Sequence, residues 1–315
     1  MLKNLSLVSY FERVFFQPSL FDWVVIVILS PLSLLYALVM LLRRFFSSLV
    51  VYPVPVISIG NLMVGGSGKT PFTIALASRY SGVYIITRGY GRKSKGLVKV
   101  SNYGEILTDV FQSGDEPMLM AKSLPNASVV VSEDRHVAID LAIKEGAGII
   151  FLDDGFNRTD IKKFDILLSP QTVRNYFPLP AGPFREFYAV KACANLYLVE
   201  NQDFERIVQI INPTERMILA TAISNPKRLE PFLPKEKIVD RVYLEDHAYF
   251  DEQELLKKQI KANATSFLIT QKDQVKMEGF KLPLSVMELK LKIKNQVFEE
   301  VNTYIENFYQ RSKEA

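Results

Sequence analysis

Hydrophobic and polar positions divide this 315-residue chain into three regimes. From 23 to 42, twenty residues without a formal charge read WVVIVILSPLSLLYALVMLL. A helix of that length covers a hydrocarbon core of about 30 Å. Ahead of it, Leu7, Tyr10, Phe11, Val14 and Phe15 recur at helical spacing around Glu12 and Arg13, which predicts an amphipathic interfacial helix. In the second regime, short apolar runs predict buried strands at 56–59, 83–87, 129–132, 148–152 and 165–168. Helical patterns at 72–80 and 118–124 separate them, and the alternation implies a doubly wound, mostly parallel sheet. The third regime predicts strands at 196–200, 218–222, 238–243 and 266–270, with helices at 227–232 and 251–262. In the latter helix, Leu255, Leu256 and Ile260 are expected to face inward. The tail, 296–310, places Val297, Val301, Tyr304, Ile305 and Phe308 on one helical face. The expected fold is α/β, with segments at 1–50 (membrane-associated helices), 51–213 (a larger α/β domain) and 214–315 (a smaller α/β domain with the C-terminal helix).

Composition narrows the chemistry. With 48% hydrophobic and 23% charged residues the chain is globular. One cysteine and two histidines exclude a disulfide scaffold, a Cys-based zinc cluster and a His-rich metal site. The net charge of +4 is unevenly spread: residues 1–100 carry eleven basic and two acidic side chains, so the remainder is net acidic. A basic front end points to phosphate, nucleic acid or a lipid surface. Arg43 and Arg44 directly follow the apolar run, which places the rest of the chain in the cytoplasm and these two arginines at the anionic leaflet. A cleaved signal peptide is disfavoured by the run's length and by charges that follow it. Pro31 would kink the helix. A spanning helix, a monotopic helix or bent hairpin, and a buried core helix are the competing readings, with membrane association favoured.

The 56–59 strand leads into Gly60-Asn61-Leu62-Met63-Val64-Gly65-Gly66-Ser67-Gly68-Lys69-Thr70 and then a helix. Strand, glycine-rich turn, Lys-Thr and helix are the context of a P-loop, although Met63 stands where the strict motif has glycine. Gly65, Gly66, Ser67 and Gly68 would turn backbone N–H groups toward a triphosphate, Lys69 would reach its outer phosphates, and Thr70 would offer a hydroxyl to Mg²⁺. Asp153-Asp154-Gly155-Phe156 ends an apolar strand as a Walker B segment does. The loop Arg88-Gly89-Tyr90-Gly91-Arg92-Lys93-Ser94-Lys95-Gly96 reads either as a solvated loop or as a phosphate or headgroup site. Asp115 is either an ordinary helix cap or a catalytic carboxylate. His247, after Asp246, is either structural or part of an active site. Lys272-Asp273 resembles a guanine-reading motif in the wrong register, which argues against a GTPase switch.

Taken in order, Gly60-Asn61 through Lys69-Thr70-Pro71, Arg88-Gly89-Tyr90, Gly114-Asp115-Glu116-Pro117, Asp153-Asp154-Gly155-Phe156, Arg185-Glu186, Asp246-His247 and Lys272-Asp273 resemble one family. It is the tetraacyldisaccharide 4′-kinases, the lipid A 4′-kinases of Gram-negative bacteria. The resemblance covers nearly the whole chain, and the absent glycine at 63 is a trait of that family's P-loop. It implies a P-loop NTPase-type α/β fold with a second smaller domain, joined by a short hinge. It implies transfer of the ATP γ-phosphate to the 4′-hydroxyl of tetraacyldisaccharide 1-phosphate, giving lipid IV-A. It also implies Mg²⁺ and a site at the cytoplasmic face of the inner membrane, with no nucleic acid or obligate protein partner. Carried over by position, Asp115 is the base paired with His247, Lys69 and Asp154 are catalytic, and Thr70, Asp153, Asp154 and Glu186 hold the metal. Arg88, Tyr90, Arg135 and Arg185 contact substrate phosphate or headgroup. The family's Gln-His after the DDGF segment reads here Asn157-Arg158, with Arg158 assigned to the anionic lipid. The competing classes are a membrane-tethered P-loop ATPase acting as a switch or assembly factor, and a non-enzymatic membrane module.

Overall fold

The computed structural model describes residues 10–65 and 68–314. In chain order the strands are β1 (Val56–Gly60), β2 (Val83–Thr87), β3 (Val98–Asn102), β4 (Glu105–Ile106), β5 (Ala127–Val131), β6 (Ile149–Asp153) and β7 (Phe164–Ser169). They continue with β8 (Leu196–Val199), β9 (Phe204–Ile211), β10 (Met217–Thr221), β11 (Ile238–Tyr243), β12 (Ser266–Thr270) and β13 (Leu284–Ile293). The helices are α1 (10–16), α2 (Asp22–Phe45), α3 (Lys69–Ala77), α4 (Val110–Ser113) and α5 (Asp115–Ser123). After them come α6 (Arg135–Lys144), α7 (Glu252–Ala262), α8 (Gln271–Gln274) and α9 (Asn295–Glu314). The chain divides into two compact units.

The first unit comprises residues 1–69, 154–204 and 300–315. Parallel β1 and β7 run in register from Ile57 opposite Phe164 to Gly60 opposite Leu167, and β8 joins β7 in parallel. β1 and β7 are buried at every position, which is why they read as mostly apolar runs, broken only by Ser58, Asp165 and Ser169, rather than as alternation. Helix α9 seals this layer: the Tyr304 ring packs tilted against Phe164 with centroids 4.8 Å apart, and its hydroxyl donates to the Val56 carbonyl at 3.3 Å.

The apolar run of the N-terminus is one helix, α2, unbroken through Pro31. Proline lacks the N–H that would reach the carbonyl one turn back, and the Ser30 hydroxyl donates to that Val27 carbonyl at 2.8 Å instead. A narrow stripe of α2 is buried. Ile26 meets Val14 and Ala181, and the Ser33 hydroxyl accepts from the Ala181 N–H at 2.8 Å. The opposite face is open, with Val27 63% and Ile28 71% exposed. A core helix would be covered all round, so that reading fails. The helix is long and apolar enough to cross a membrane.

The second unit comprises residues 70–153 and 205–299. Its first set of strands runs β4-β3-β5-β2-β6, with β2 parallel to β5 and β6, and β3 antiparallel to β5. A second sheet is ordered β11-β10-β12-β13-β9, with β10 parallel to β11 and β12 and β12 parallel to β13. Ile218, Ala220, Phe267 and Ile269 pack with Leu255 and Phe250 on one face of this sheet. Met217, Leu219 and Leu268 pack on the other. The α/β class and the mostly parallel pairing agree with the sequence pattern. One local expectation does not hold. Leu256 and Ile260 are 46% and 72% exposed, because at about 100° per residue they turn away from the face that Leu255 presents. The helix expected at 227–232 is present as Pro226–Phe232 and is of 3₁₀ type, with Pro231 inside it, where no backbone N–H is available for an α-helical bond.

Candidate active site

Strand β1 ends where the glycine-rich turn begins. In the first unit the Asn61 side chain donates to the Met63 carbonyl at 2.7 Å, and its Oδ1 accepts from Lys69 Nζ at 3.0 Å. Gly65 and Gly68 take φ values of 93° and 80°, a region that an L side chain disfavours. Gly66 and Ser67 lie outside the described residues. Lys69 begins α3, and its Nζ stands 3.5 Å from Asp154 Oδ1. Arg185 approaches the same carboxylate at 3.2 Å. Burial pushes the Asp154 carboxyl up, but Lys69 and Arg185 outweigh it and hold it below the usual range. Two cations on one carboxylate leave a surplus positive charge beside a helix N-terminus, an arrangement that attracts phosphate. Asp154 itself is held at φ 54°, so its placement is imposed by its surroundings.

Glu186 is 2% exposed and gives both oxygens to Arg44, at 2.9 and 3.0 Å. Arg44 also lies 4.5 Å over the Phe156 ring. This differs from two expectations. Arg44 turns into the protein, not toward a leaflet, and Glu186 has its carboxylate engaged by a guanidinium. A buried charge must be paired, and removing one member of such a pair costs about 3–5 kcal/mol. Among the described residues no three His, Cys, Asp or Glu side chains gather to hold a metal ion. Arg158 pairs with Asp160 at 2.7 Å.

In the second unit Thr70 lies in the first turn of α3, and Thr73 donates to Asp153 Oδ1 at 3.0 Å. Asp115 opens α5, but the cap position belongs to Gly114, so Asp115 is not the helix cap. Its carboxylate meets His247 Nδ1 at 2.9 and 3.1 Å. Asp115 is 3% exposed and His247 23%. Burial pushes the Asp115 carboxyl up, while the His247 bond and the charges of Lys272, His247 and Lys276 hold it below the usual range. The bond to Asp115 raises the His247 imidazole against burial. Lys272 Nζ contacts Glu116 at 3.2 Å, Asp246 at 3.3 Å and Asp115 at 3.7 Å. Arg88 stacks 5.3 Å from the exposed Tyr90 ring. Arg135 is buried and donates to the Ser132 carbonyl, so it does not present a free guanidinium to a lipid.

The loop that carries His247 is tethered. Tyr249 stacks on Phe111 at 4.4 Å and donates to the Val110 carbonyl. A Cβ built at Gly91, whose φ is 73°, would lie 2.8 Å from His247 Cβ. Gly91→Ala is therefore expected to displace the imidazole and lower kcat/KM at least about tenfold. Gly96→Ala has a similar φ of 71° and nothing within 4 Å, so it carries the backbone strain without the clash. Steady-state kinetics of both variants make the comparison; equal losses would reject the contact's importance.

Sequence reasoning did not assign Asn61, Thr73 or Lys276. Asn61 lay inside the motif, and Thr73 and Lys276 stand three residues beyond Thr70 and Asp273, one helical turn away, a spacing that could have pointed to them.

The family model for LpxK, described as tetraacyldisaccharide-1-P 4′-kinase, matches residues 25–307. A tetraacyldisaccharide 4′-kinase of Helicobacter pylori is 47% identical over 298 residues, covering 94% of this chain and 95% of that protein. One from Aliarcobacter butzleri is 44% identical, covering 95% and 98%. A crystal structure of LpxK from Aquifex aeolicus in complex with ATP superposes with a TM-score of 0.73 at 29% identity, covering 90% of this chain and 99% of that one. The chain belongs to the tetraacyldisaccharide-1-P 4′-kinase family.

Proposed function

We infer that this protein transfers the γ-phosphate of ATP to the 4′-hydroxyl of a tetraacyldisaccharide 1-phosphate, giving lipid IV-A. Family membership supports the reaction, and the Asp115–His247 pair is the observation that carries an acceptor-using kinase over a P-loop ATPase. The hydroxyl oxygen bonds to the γ-phosphorus, the bond to the ADP oxygen breaks, and the hydroxyl proton passes to the Asp115–His247 pair. Asp115 is the proposed base, with His247 holding its orientation. Lys69, leading α3 beside a turn with two left-handed glycines, is suited to the outer phosphates. Asp154 acts with it. Thr70 and Asp153 offer hard oxygen donors of the kind that fits Mg²⁺, which takes one or two carboxylates and otherwise water and phosphate, whereas Lys69 and Arg185 already hold Asp154. Glu186 does not fit that set while Arg44 holds both its oxygens. When bound, Mg²⁺ neutralises charge on the β- and γ-phosphates.

Arg88, Tyr90 and Arg158 are proposed contacts for the anionic lipid, and Arg185 orients Asp154. The exposed apolar face of α2 is proposed to sit in the inner membrane at its cytoplasmic side, since lipid covers such a face at no hydrophobic cost. The proposed organisation is 1–50 for this segment, 51–213 for the kinase domain and 214–315 for the smaller domain. The test is the purified protein with ATP, Mg²⁺ and the disaccharide 1-phosphate lipid in mixed micelles. Labelled phosphate is expected in the lipid, and release only to water would refute the kinase reading in favour of the ATPase.

A further inference from the structure

Asp115 is surrounded by more positive charge than a base–histidine pair requires. Lys276 follows α8, and its side chain is fully buried, with no solvent exposure. Its Nζ lies 3.6 Å from Asp115 Oδ2 and 3.0 Å from Asp273 Oδ1, with the Phe250 ring 5.5 Å away. Asp273 has no exposure either. It accepts from the Thr221 and Thr270 hydroxyls at 2.7 Å and from the Ala222 N–H at 3.1 Å, so it is pinned to the ends of β10 and β12. Lys276 therefore stands on a rigid anchor and reaches from it to Asp115. Lys272, one turn earlier, reaches the same carboxylate at 3.7 Å from the other side of Asp273 in sequence. Burying an ammonium costs several kcal/mol unless it is paired, and Nζ of Lys276 has no hydrogen bond of good geometry to offset that cost. Its charge is balanced by the two carboxylates, with the Phe250 ring face beside it.

We propose that Lys272 and Lys276 are positioning residues, fixed counter-charges that orient the Asp115 carboxylate toward His247 and set the pH range in which the pair takes up a proton. The proposal rests on the reading of Asp115–His247 as the proton acceptor. The groups that face the pair come from four segments, one of them the 88–96 loop, whose Gly91 lies against His247 and whose Lys93 stands over the Tyr249 ring. α5 supplies Asp115 and Glu116, the 245–250 loop supplies Asp246, His247 and Tyr249, and α8 with its following turn supplies Lys272, Asp273 and Lys276. Asp246 and Glu116 are neutralised largely by Lys272, and Asp273 by Lys276. Removing either lysine leaves negative charge in excess. Both protonation steps of the coupled pair then move to higher pH, because the bound proton replaces the missing cation.

The chain has two histidines, His136 and His247, so ring-labelled protein reports His247 by NMR with His136 as an internal reference. In Lys276→Met, the His247 midpoint is expected to rise by about one pH unit, a typical effect of a charge within about 4–6 Å. His136 should stay fixed. The acidic limb of kcat/KM, measured with ATP and the disaccharide lipid, should rise with it. Lys272→Met is the second variant, since Lys272 keeps some exposure and its replacement is better tolerated if Lys276→Met does not fold. Lys272→Arg should restore the wild-type midpoint. A purely structural role would lower activity and melting temperature without moving the midpoint, and an unmoved His247 in the folded variants would overturn the proposal. A His247 shift without any shift in the rate profile would instead overturn Asp115–His247 as the proton acceptor.

Discussion

Asparagine at position 115 is expected to lower kcat by about a thousandfold while ATP still binds. An amide cannot take up the hydroxyl proton, and a positioned base contributes about 10²–10⁴ in rate. The fold should survive, because Lys276 keeps Asp273 and Lys272 keeps Glu116 and Asp246. The substitution also has a pH signature. The imidazole of His247 is raised in the folded protein, so its stabilising contribution is complete below about pH 6.5 and is lost as pH climbs through the raised value. Asp115 is lowered, so its contribution is complete above about pH 3.9 and is lost as pH falls through the lowered value. Both are present between about pH 4 and 6.5. Thermal unfolding across pH 4–9 should show the wild-type advantage over Asp115→Asn greatest in that window and shrinking above it. Turnover near wild type in Asp115→Asn would remove the residue from the chemistry.

Lys69→Ala is expected to cost kcat a few hundredfold, the scale of losing one preorganised positive donor from a site of developing charge. It differs from Asp115→Asn in a second readout: ATP affinity should fall with it, since Lys69 would meet the outer phosphates. Asp154 retains Arg185 at 3.2 Å, so no uncompensated carboxylate is created and the melting temperature should change little. Titration with a fluorescent ATP analogue and single-turnover phosphorylation of the lipid separate the two effects. Unchanged nucleotide affinity would place Lys69 away from the phosphates.

The strands were legible because buried parallel strands do not alternate: β1, β2, β5, β6 and β7 are mostly apolar runs whose every position is buried. The 227–232 helix was legible too, but not its 3₁₀ type, since proline permits a first helical turn yet removes the bonds that would extend it into an α-helix. Helix α7 was found but its inward face was misjudged, because one buried leucine and an amphipathic surface satisfy the same pattern. At the site, Lys69, Asp115, Asp153, Asp154 and His247 could be singled out because strand ends and glycine-rich turns are local features. Glu186 was singled out too, but its partner was not. Arg44 lies 142 residues away in sequence, and nothing local distinguishes an arginine facing lipid from one facing a carboxylate.

By itself the sequence determined the α/β class, the glycine-rich turn before Lys69, the apolar N-terminal helix and the ordered motifs that mark the family. These depend on periodicity, backbone freedom and residue order, all of which are written along the chain. Tertiary structure alone decided that His247 meets Asp115 across 132 residues, that Lys276 reaches the same carboxylate, and that Arg44 occupies Glu186. It also decided that the proline in α2 leaves the helix unbroken. The physical reason is that charge pairing and burial are properties of distance in space. An ionisable side chain takes its proton affinity from neighbours that folding brings within a few ångströms, and residue order does not encode that distance.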